Sequence, residues 1–263
     1  PVGGGLSWFD RENNELKPFY NEVGTDAWRF SNKLHAMMLD HQGYLWLGTH
    51  SKGLDKVTFF KNEFQLIKPQ NCKYDTNANQ VRSLCQDSRK QLWIGTRNSK
   101  VSVYSLDFQL QGYLTVDGRI SLTGTPFRGS AYKIIEDSKK NIWIATKGNG
   151  IVQLIPQGSG YKMLHYTYDA NDIYSLSHNN VYDLCEDSYG RIWVVTFGGG
   201  IDYIEKESDG SVRFINSRNN LKSYPMERCY KARRMLLDKK GMLWVATSNG
   251  LLAFSEKFER PDT

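Results

Sequence analysis

Two sets of residues recur along the chain at a spacing of about 50 residues and could bind a ligand together. The first set lies three residues ahead of a repeated apolar position: His35, Arg82, Tyr132, Tyr182 and Arg233. The second set directly follows a repeated threonine: His50, Arg97, Lys147, Phe197 and Ser248. Aromatic rings can stack on the C–H faces of sugars, whereas arginine and lysine pair with carboxylates or sulfates. The residue types of the two sets therefore suit a ligand that presents sugar rings together with carboxylates or sulfates.

Five aspartates recur with the same period, and their neighbours favour a turn over catalysis: Asp40, Asp87, Asp137, Asp187 and Asp238. A glycine follows three residues later in three repeats, and Lys90 and Lys140 take that place in the other two. This pattern predicts a tight hairpin in which the aspartate accepts backbone N–H bonds and the third residue has a positive φ. Neither a base partner nor a metal ligand recurs beside the aspartates. The sequence therefore predicts no catalytic residue, no metal site and no cofactor.

The four cysteines show neither a metal-binding nor a disulfide pattern: Cys72, Cys85, Cys185 and Cys229. No Cys-x-x-Cys pair is present in the sequence, and this cysteine density is low for a disulfide scaffold. Cys85 and Cys185 occupy the apolar position that Met38 holds in the first repeat, so both are expected to be buried and unreactive. The sequence assigns no role to Cys72 or Cys229.

Composition and charge exclude several classes of protein. Hydrophobic residues make up 40% of the 263 residues, which is enough for a core. The sequence contains no run of about 18 apolar residues, the length that a membrane-spanning helix needs. The 34 lysines and arginines exceed the 28 acidic residues and give a net charge of +6. These basic residues are dispersed, with Lys231, Arg233 and Arg234 as the tightest group. The charge therefore permits an anionic partner but does not predict nucleic-acid binding.

The repeat itself indicates the elements that must position these residues. Each aspartate is followed six residues later by a tryptophan, and the tryptophans are Trp46, Trp93, Trp143, Trp193 and Trp244. Strands are indicated at Val81–Gln86 and Val181–Glu186, around each tryptophan, after the glycine-rich loop that follows it, and along the alternating aromatic residues 163–168. Four short strands in a repeat of about 50 residues are typical of a β-propeller blade. The tryptophans are therefore expected to be largely buried between neighbouring blades.

We thus predict an all-β fold, a β-propeller of four-stranded blades in which residues 1–263 form a single segment. A partial blade over residues 1–20 precedes the five repeats, because Gly3-Gly4-Gly5-Leu6 copies Gly198-Gly199-Gly200-Ile201. The last blade, residues 226–256, is expected to lack its fourth strand. Since such a set of blades would not close a ring, we expect the chain to be a fragment of a larger, seven-bladed propeller.

The repeat resembles the two-component regulator propeller repeat, with its aspartate, turn glycine, Leu/Ile-Trp-Ile-Gly-Thr strand and Gly-Gly-Gly-Leu loop. The most specific stretch runs from Tyr168 to Val181 and is similar to the inter-blade segment in the sensor regions of hybrid two-component regulators of Bacteroides-type gut bacteria. Residues 75–80 match that segment in part, whereas residues 123–130 and 224–230 do not match it. The resemblance implies two seven-bladed propellers outside the inner membrane, followed by a β-sandwich, a membrane helix and a histidine kinase.

The resemblance also implies a periplasmic, ligand-sensing module that recognises a polysaccharide-derived oligosaccharide and signals to a kinase outside this segment. Its partners would then be the remaining blades, a second propeller of the same protein and a second copy in a homodimer, with no nucleic-acid contact by this segment. Two alternatives remain open, namely a propeller enzyme that cleaves glycans as a lyase or glycosidase, and a protein-interaction propeller. The loop residues of both sets could also be a solvated surface or contact the second propeller.

Overall fold

The computed structural model describes residues 6–19, 33–50, 53–57, 69, 79–97, 99–207 and 210–256. These residues form antiparallel sheets of short strands and one short helix, which confirms the all-β prediction. The chain divides into two compact units, Pro1–Leu66 and Ile67–Thr263. The organisation of residues 1–263 as a single propeller segment stays a prediction.

The first unit contains a hairpin and a three-stranded sheet. Its strands are, in chain order, β1 (Leu6–Asp10), β2 (Glu15–Phe19), β3 (Leu34–Leu39), β4 (Leu45–Thr49) and β5 (Leu54–Val57). β1 pairs with β2 where the partial blade was expected, and the sheet has the order β3-β4-β5. Leu45, Leu47 and Val57 form the core of this unit, with Leu6 and Leu34 packed against them.

Within the described residues, the second unit contains four sheets. Its elements are, in chain order, β6 (Val81–Gln86), β7 (Leu92–Thr96), β8 (Ser99–Lys100), β9 (Ser102–Tyr104), β10 (Leu110–Leu114), β11 (Ile120–Ser121), β12 (Arg128–Glu136), β13 (Ile142–Lys147), β14 (Ile151–Gln157), β15 (Gly160–Tyr166), β16 (Val181–Glu186), β17 (Ile192–Thr196), β18 (Gly200–Lys206), β19 (Val212–Ile215), α1 (Met226–Cys229), β20 (Ala232–Leu237), β21 (Met242–Thr247) and β22 (Gly250–Ser255). The sheet orders are β11-β10-β9-β7-β6, β15-β14-β13-β12-β8, β16-β17-β18-β19 and β20-β21-β22. The two-residue strands β8 and β11 were not predicted, because two residues carry no readable period.

The four sheets of the second unit are arranged as propeller blades. Their first strands are neighbours in turn, since β6 contacts β12, β12 contacts β16 and β16 contacts β20. Three apolar clusters of described residues fill the spaces between successive sheets. Antiparallel sheets that meet along their first strands and pack face to face have the architecture of a β-propeller.

Three of the five repeat tryptophans belong to these clusters, one to each. All three are completely buried: Trp93, Trp143 and Trp193. The indole of Trp93 contacts Tyr161 of the next sheet, with 5.7 Å between ring centroids, and that of Trp193 contacts Phe254 of the next sheet at 5.2 Å. The expected burial is therefore confirmed for these three, whereas Trp46 and Trp244 are only half-buried.

The aspartate of each repeat binds both the hairpin turn and the tryptophan. Its Oδ1 accepts the backbone N–H four residues later at 2.8 to 3.0 Å in all five repeats. Its Oδ2 accepts the indole Nε1–H at 2.8 to 2.9 Å, a bond that sequence analysis did not predict. Lys90 and Lys140 have φ values of 62° and 69°, the strained conformation expected where glycine is replaced. The structural interpretation of the five aspartates is thus confirmed.

Serine and glutamate side chains join each hairpin turn to the following sheet. Ser88 donates its backbone N–H and its hydroxyl to the Glu136 carboxylate at 2.8 and 2.7 Å, and Ser138 binds Glu186 in the same way. In the fourth sheet the corresponding position is Leu237, and Glu256 after β22 accepts the backbone N–H of Ser188 instead, at 3.0 Å. A carboxylate thus links successive sheets even where the repeat position has lost its acid.

The described cysteines are free thiols. Cys85 and Cys185 are half-buried rather than buried, and burial raises the pKa of both thiols. A raised pKa lowers the thiolate fraction at neutral pH, which agrees with the expectation that both are unreactive. Cys229 is buried in the cluster between the third and fourth sheets, and Cys72 lies outside the described residues.

Asp202 on β18 is a completely buried carboxyl group that organises the third sheet. It accepts hydrogen bonds from the backbone N–H of Ser177 at 2.9 Å, from the Ser177 hydroxyl at 2.6 Å and from Asn216 Nδ2 at 2.9 Å. Burial raises the pKa of Asp202 to about 7, although these hydrogen bonds oppose the shift. The carboxyl therefore holds the segment before β16 and the loop after β19 against β18.

Replacing Asp202 with asparagine is expected to remove a pH dependence of stability. Because the native pKa lies above the ordinary value of 3.8, the folded chain retains a proton that the unfolded chain has released between these two values. Wild-type stability is therefore expected to fall by about 2 kcal/mol between pH 5 and pH 7 through this group. Urea unfolding of both proteins across that range measures the loss, and parallel profiles for wild type and Asp202→Asn would contradict the prediction.

Candidate functional site

The first set of candidate residues occupies a repeated irregularity of the sheets. The pairing register shifts at Leu34/Ala36, Val81/Ser83, Ala131/Lys133, Val181/Asp183 and Ala232/Arg234. The residue inside each shift is a β-bulge, and these residues are His35, Arg82, Tyr132, Tyr182 and Arg233. A bulge leaves one residue unpaired and re-aims its side chain, which is why bulges are frequent beside binding sites. All five members of the first set are thus placed alike, by a feature that the sequence did not reveal.

The second set lies at the same end of the first two strands of each sheet and joins those strands by backbone hydrogen bonds. Backbone N–H groups of four members donate to the carbonyl just before the first strand, at 2.8 to 3.0 Å: His50 to Lys33, Arg97 to Gln80, Phe197 to Asn180 and Ser248 to Lys231. Lys147 pairs with Ser130 and also forms a bridge to Asn180 of the next sheet. The two sets therefore lie side by side at one end of the strands, as the repeat predicted.

Five of these residues form a continuous stack in the second unit, which we call the cation–aromatic ladder: Arg82, Tyr132, Tyr182, Phe197 and Arg233. The rings of Tyr132 and Tyr182 stack at 4.9 Å with an angle of 26°, and those of Tyr182 and Phe197 stack at 5.1 Å with an angle of 17°. The guanidinium of Arg82 lies 5.5 Å from the centre of the Tyr132 ring, and that of Arg233 lies 4.9 Å from the centre of the Phe197 ring. Each end of the aromatic stack therefore carries a positive charge.

The two terminal arginines keep most of their hydrogen-bonding capacity. Arg82 donates to Gln80 Oε1 at 3.4 Å and Arg233 donates to Ser248 Oγ at 3.1 Å, and neither forms an ion pair with a described residue. The phenolic hydroxyls of Tyr132 and Tyr182 also make no hydrogen bond within the described part of the chain. A ligand that contacts the ladder would meet guanidinium and hydroxyl donors, while much of each ring face is already covered by a neighbouring ring.

A buried carboxylate beside the ladder is already neutralised. Asp183, with 2% of its surface exposed, lies 3.4 Å from Lys133 Nζ and 3.8 Å from Arg234 Nη1. Its Oδ2 also accepts the backbone N–H of Met235 at 3.0 Å. Because this acid is paired, the arginines of the ladder remain available to an external anion. Sequence analysis did not single out Asp183 or Lys133. An acidic residue inside the apolar strand Val181–Glu186 could have indicated a buried carboxylate with a basic partner.

The remaining candidates lie outside the ladder. His35 and His50 contact each other in the first unit, with 5.0 Å between ring centroids. Arg97 and Lys147 reach the same strand ends through their backbones but add no ring to the ladder. Lys231 joins it from the tight basic group noted in the sequence, since its ammonium lies 5.6 Å from the centre of the Phe197 ring.

Two further properties concern the described residues. No group of three or more His, Cys, Asp or Glu side chains converges there to hold a metal ion. None of the helical structure in that part of the chain has the length and apolar character needed to cross a membrane.

The blades and their bulged first strands define a β-propeller, and two of its repeats match a known repeat. The two-component regulator propeller model matches residues 76–98 and 175–198, so the chain carries two-component regulator propeller repeats. The resemblance predicted from the sequence is therefore confirmed at two of the five repeats. No curated protein is detectably similar to the chain in sequence.

Several solved structures have a fold similar to that of this chain. Two are extracellular domains of putative hybrid two-component systems of B. thetaiotaomicron, 18% and 21% identical over 96% of this chain and 41% and 36% of theirs, with a TM-score of 0.49 each. A third is PorZ, a surface component of the type-IX secretion system of Porphyromonas gingivalis, 16% identical over 96% of this chain and 36% of that one, with a TM-score of 0.50. The chain thus spans about two fifths of the length of the proteins it resembles.

Proposed function

We propose that this chain is a non-catalytic, ligand-sensing propeller module of a hybrid two-component regulator, located in the periplasm, and that it binds an acidic oligosaccharide derived from a polysaccharide. The ligand would lie across the cation–aromatic ladder and pair its carboxylates or sulfates with Arg82 and Arg233. In this proposal a kinase outside the segment receives the signal. The other blades, a second propeller and a second copy of the protein would be its partners.

The observation that carries the proposal is the pair of arginines at the two ends of one aromatic stack. Neither guanidinium is neutralised by a described carboxylate, and the only buried acid nearby, Asp183 among the described residues, already binds Lys133 and Arg234. Stacking restricts both guanidinium groups, so less conformational entropy is lost when an anion binds. The propeller repeat and the extracellular settings of the similar B. thetaiotaomicron structures support a sensing role outside the cytoplasm.

Replacing Arg82 or Arg233 with alanine is expected to weaken binding of an acidic oligosaccharide. Each variant loses a charged hydrogen bond worth about 1.5 to 3 kcal/mol, and added salt is expected to weaken wild-type binding as well. Calorimetry with oligogalacturonates, and with their neutral methyl esters, measures both effects. Arg119→Ala is the matched control, because Arg119 is an exposed arginine paired with Asp117 away from the ladder.

The same preparations separate the alternatives. If both ladder variants keep wild-type affinity, the ligand site lies elsewhere. Appearance of shortened oligosaccharides during incubation with the wild-type chain would establish a glycan-cleaving enzyme and overturn the non-catalytic assignment.

A further inference from the structure

A cavity opens beside the third sheet, and none of the ladder side chains lines it. It has a volume of about 530 Å³ and lies between the segment that precedes β16, the loop after β17 and the loop after β19. We call it the outer pocket, and the residues that matter for its chemistry are Tyr168, His178, Asn179, Ser217, Arg218 and Met226. The most repeat-specific stretch of the sequence, from Tyr168 to Val181, thus forms one wall of a cavity.

Arg218 is held in the outer pocket by several fixed hydrogen bonds. Its Nη1 donates to the carbonyl of Asp169 at 3.1 Å, and its Nη2 donates to the carbonyl and the hydroxyl of Ser175 at 2.8 and 3.0 Å. Its guanidinium also lies 5.0 Å from the centre of the Tyr168 ring. The Nε–H is buried and has no hydrogen-bond partner. The guanidinium is therefore held rigidly, and Nη1 has a second hydrogen that no described residue accepts.

The imidazole of His178 presents a second donor, and a hydrogen bond from the backbone sets the tautomer of the ring. Its Nδ1 accepts the backbone N–H of Asn180 at 3.0 Å, so the neutral ring carries its proton on Nε2. Gly198 makes room for the ring, because a Cβ at that position would lie 2.6 Å from His178 Cδ2. The imidazole is therefore fixed in place, and its Nε2–H has no partner among the described residues.

The remaining walls add polar donors and an apolar side. Asn179 uses its Oδ1 to accept the backbone N–H of Tyr168 at 2.8 Å, which leaves its Nδ2 free to donate. The Ser217 hydroxyl makes no hydrogen bond within the described ranges, whereas Tyr168 and Met226 contribute apolar surface. Among the described residues that line the outer pocket none is acidic, and Arg218 is the charged one. The pocket is thus rich in donors and positively charged.

We propose that the outer pocket binds a single sugar acid, with the carboxylate paired to Arg218 and the hydroxyls bound by His178, Asn179 and Ser217. The volume falls within the range of about 300 to 1,000 Å³ typical of small-molecule sites and is too large for a simple inorganic anion. The apolar wall of Tyr168 and Met226 suits the C–H groups of a sugar ring. Since the pocket and the ladder use different side chains, either site can bind without the other.

Calorimetric or NMR titration of the whole chain with glucuronate tests this inference, with glucose and inorganic phosphate as comparison ligands. We expect glucuronate to bind at least about tenfold more tightly than glucose, because glucose lacks the charge that Arg218 requires. His178→Ala and Ser217→Ala are each expected to weaken glucuronate binding about threefold to tenfold, and Arg218→Lys about tenfold or more. His41→Ala, in an exposed hairpin turn, is the matched control and is expected to bind as wild type does.

The outcomes separate this inference from the proposed function. Glucuronate binding that is lost in the His178, Ser217 and Arg218 variants but kept in Arg82→Ala and Arg233→Ala assigns the bound sugar to the outer pocket, whereas a loss confined to the two ladder variants assigns it to the ladder and overturns the inference. The inference is overturned if glucuronate does not bind, if phosphate binds as tightly as glucuronate, or if the pocket variants bind glucuronate as the His41→Ala control does. Should Arg218→Lys or His178→Ala lower the unfolding midpoint, Ser217→Ala decides the result, because the Ser217 hydroxyl makes no hydrogen bond within the described residues.

Discussion

Replacing Trp143 with alanine is expected to lower the free energy of unfolding by about 3 to 5 kcal/mol. The Trp143 side chain has no exposed surface, stacks on Tyr166 at 6.3 Å between ring centroids and lies in the cluster between the second and third sheets. Its removal leaves a cavity between two blades that β12 and β16 hold in fixed positions, so the site can collapse only in part. Urea unfolding followed by far-ultraviolet circular dichroism measures the loss.

Tyr189→Ala is the matched control for this experiment. Tyr189 lies in the hairpin turn of the third sheet, with 61% of its surface exposed, so its loss is expected to change stability by no more than about 0.5 kcal/mol. Equal effects of the two substitutions would contradict the role assigned to the buried tryptophan.

Replacing Asp137 with alanine is expected to cost about 3 kcal/mol or more, because several buried donors lose their common acceptor. Asp137 accepts the backbone N–H and the Nδ2–H of Asn141 at 2.8 Å each, and the indole Nε1–H of Trp143 at 2.8 Å. All three residues are buried, so water cannot replace the carboxylate without opening the blade. Differential scanning calorimetry of the variant measures the loss.

Asp107→Ala provides the comparison. Asp107 is an exposed aspartate in the turn between β9 and β10, and we expect its replacement to leave the transition temperature nearly unchanged. A variant at Asp137 that melts as the Asp107 variant does would show that the aspartate is dispensable to the blade. Asp137→Asn adds a finer test. The N–H groups of Asn141 and Trp143 bind the two carboxylate oxygens of Asp137, whereas an amide offers them only one acceptor oxygen.

These buried contacts matter for function because they position the ladder. The aspartate and tryptophan of a repeat fix the first two strands of each sheet at one end, and the bulge at Tyr132 or Tyr182 lies at the opposite end of the same strands. Rings on adjacent first strands can then stack, since β12 and β16 are neighbours. The binding face proposed here is therefore a consequence of the spacing of the blades rather than of a dedicated loop.

The sequence by itself determined the blade. The period of the repeat, the strands Val81–Gln86 and Val181–Glu186, the positive φ at Lys90 and the family resemblance are all local, because a turn or a strand depends on residues a few positions apart. Equivalent positions in successive repeats also placed Tyr132 and Tyr182 at the same end of their strands, since a repeated unit packs against its neighbour in the same way each time.

Only the tertiary structure decided which of these residues meet. The bulge in each first strand depends on how that strand pairs with its partner strand. Neither the alternation of apolar and polar residues nor the residue types at the bulge predicted it. The stack of Tyr132, Tyr182 and Phe197 depends on contacts between separate sheets. The outer pocket brings His178 and Arg218 together from two loops, and the pKa of Asp202 is raised by burial that no neighbour in sequence supplies. Such features arise from contacts between residues distant in the chain, and the types of neighbouring residues do not specify those contacts.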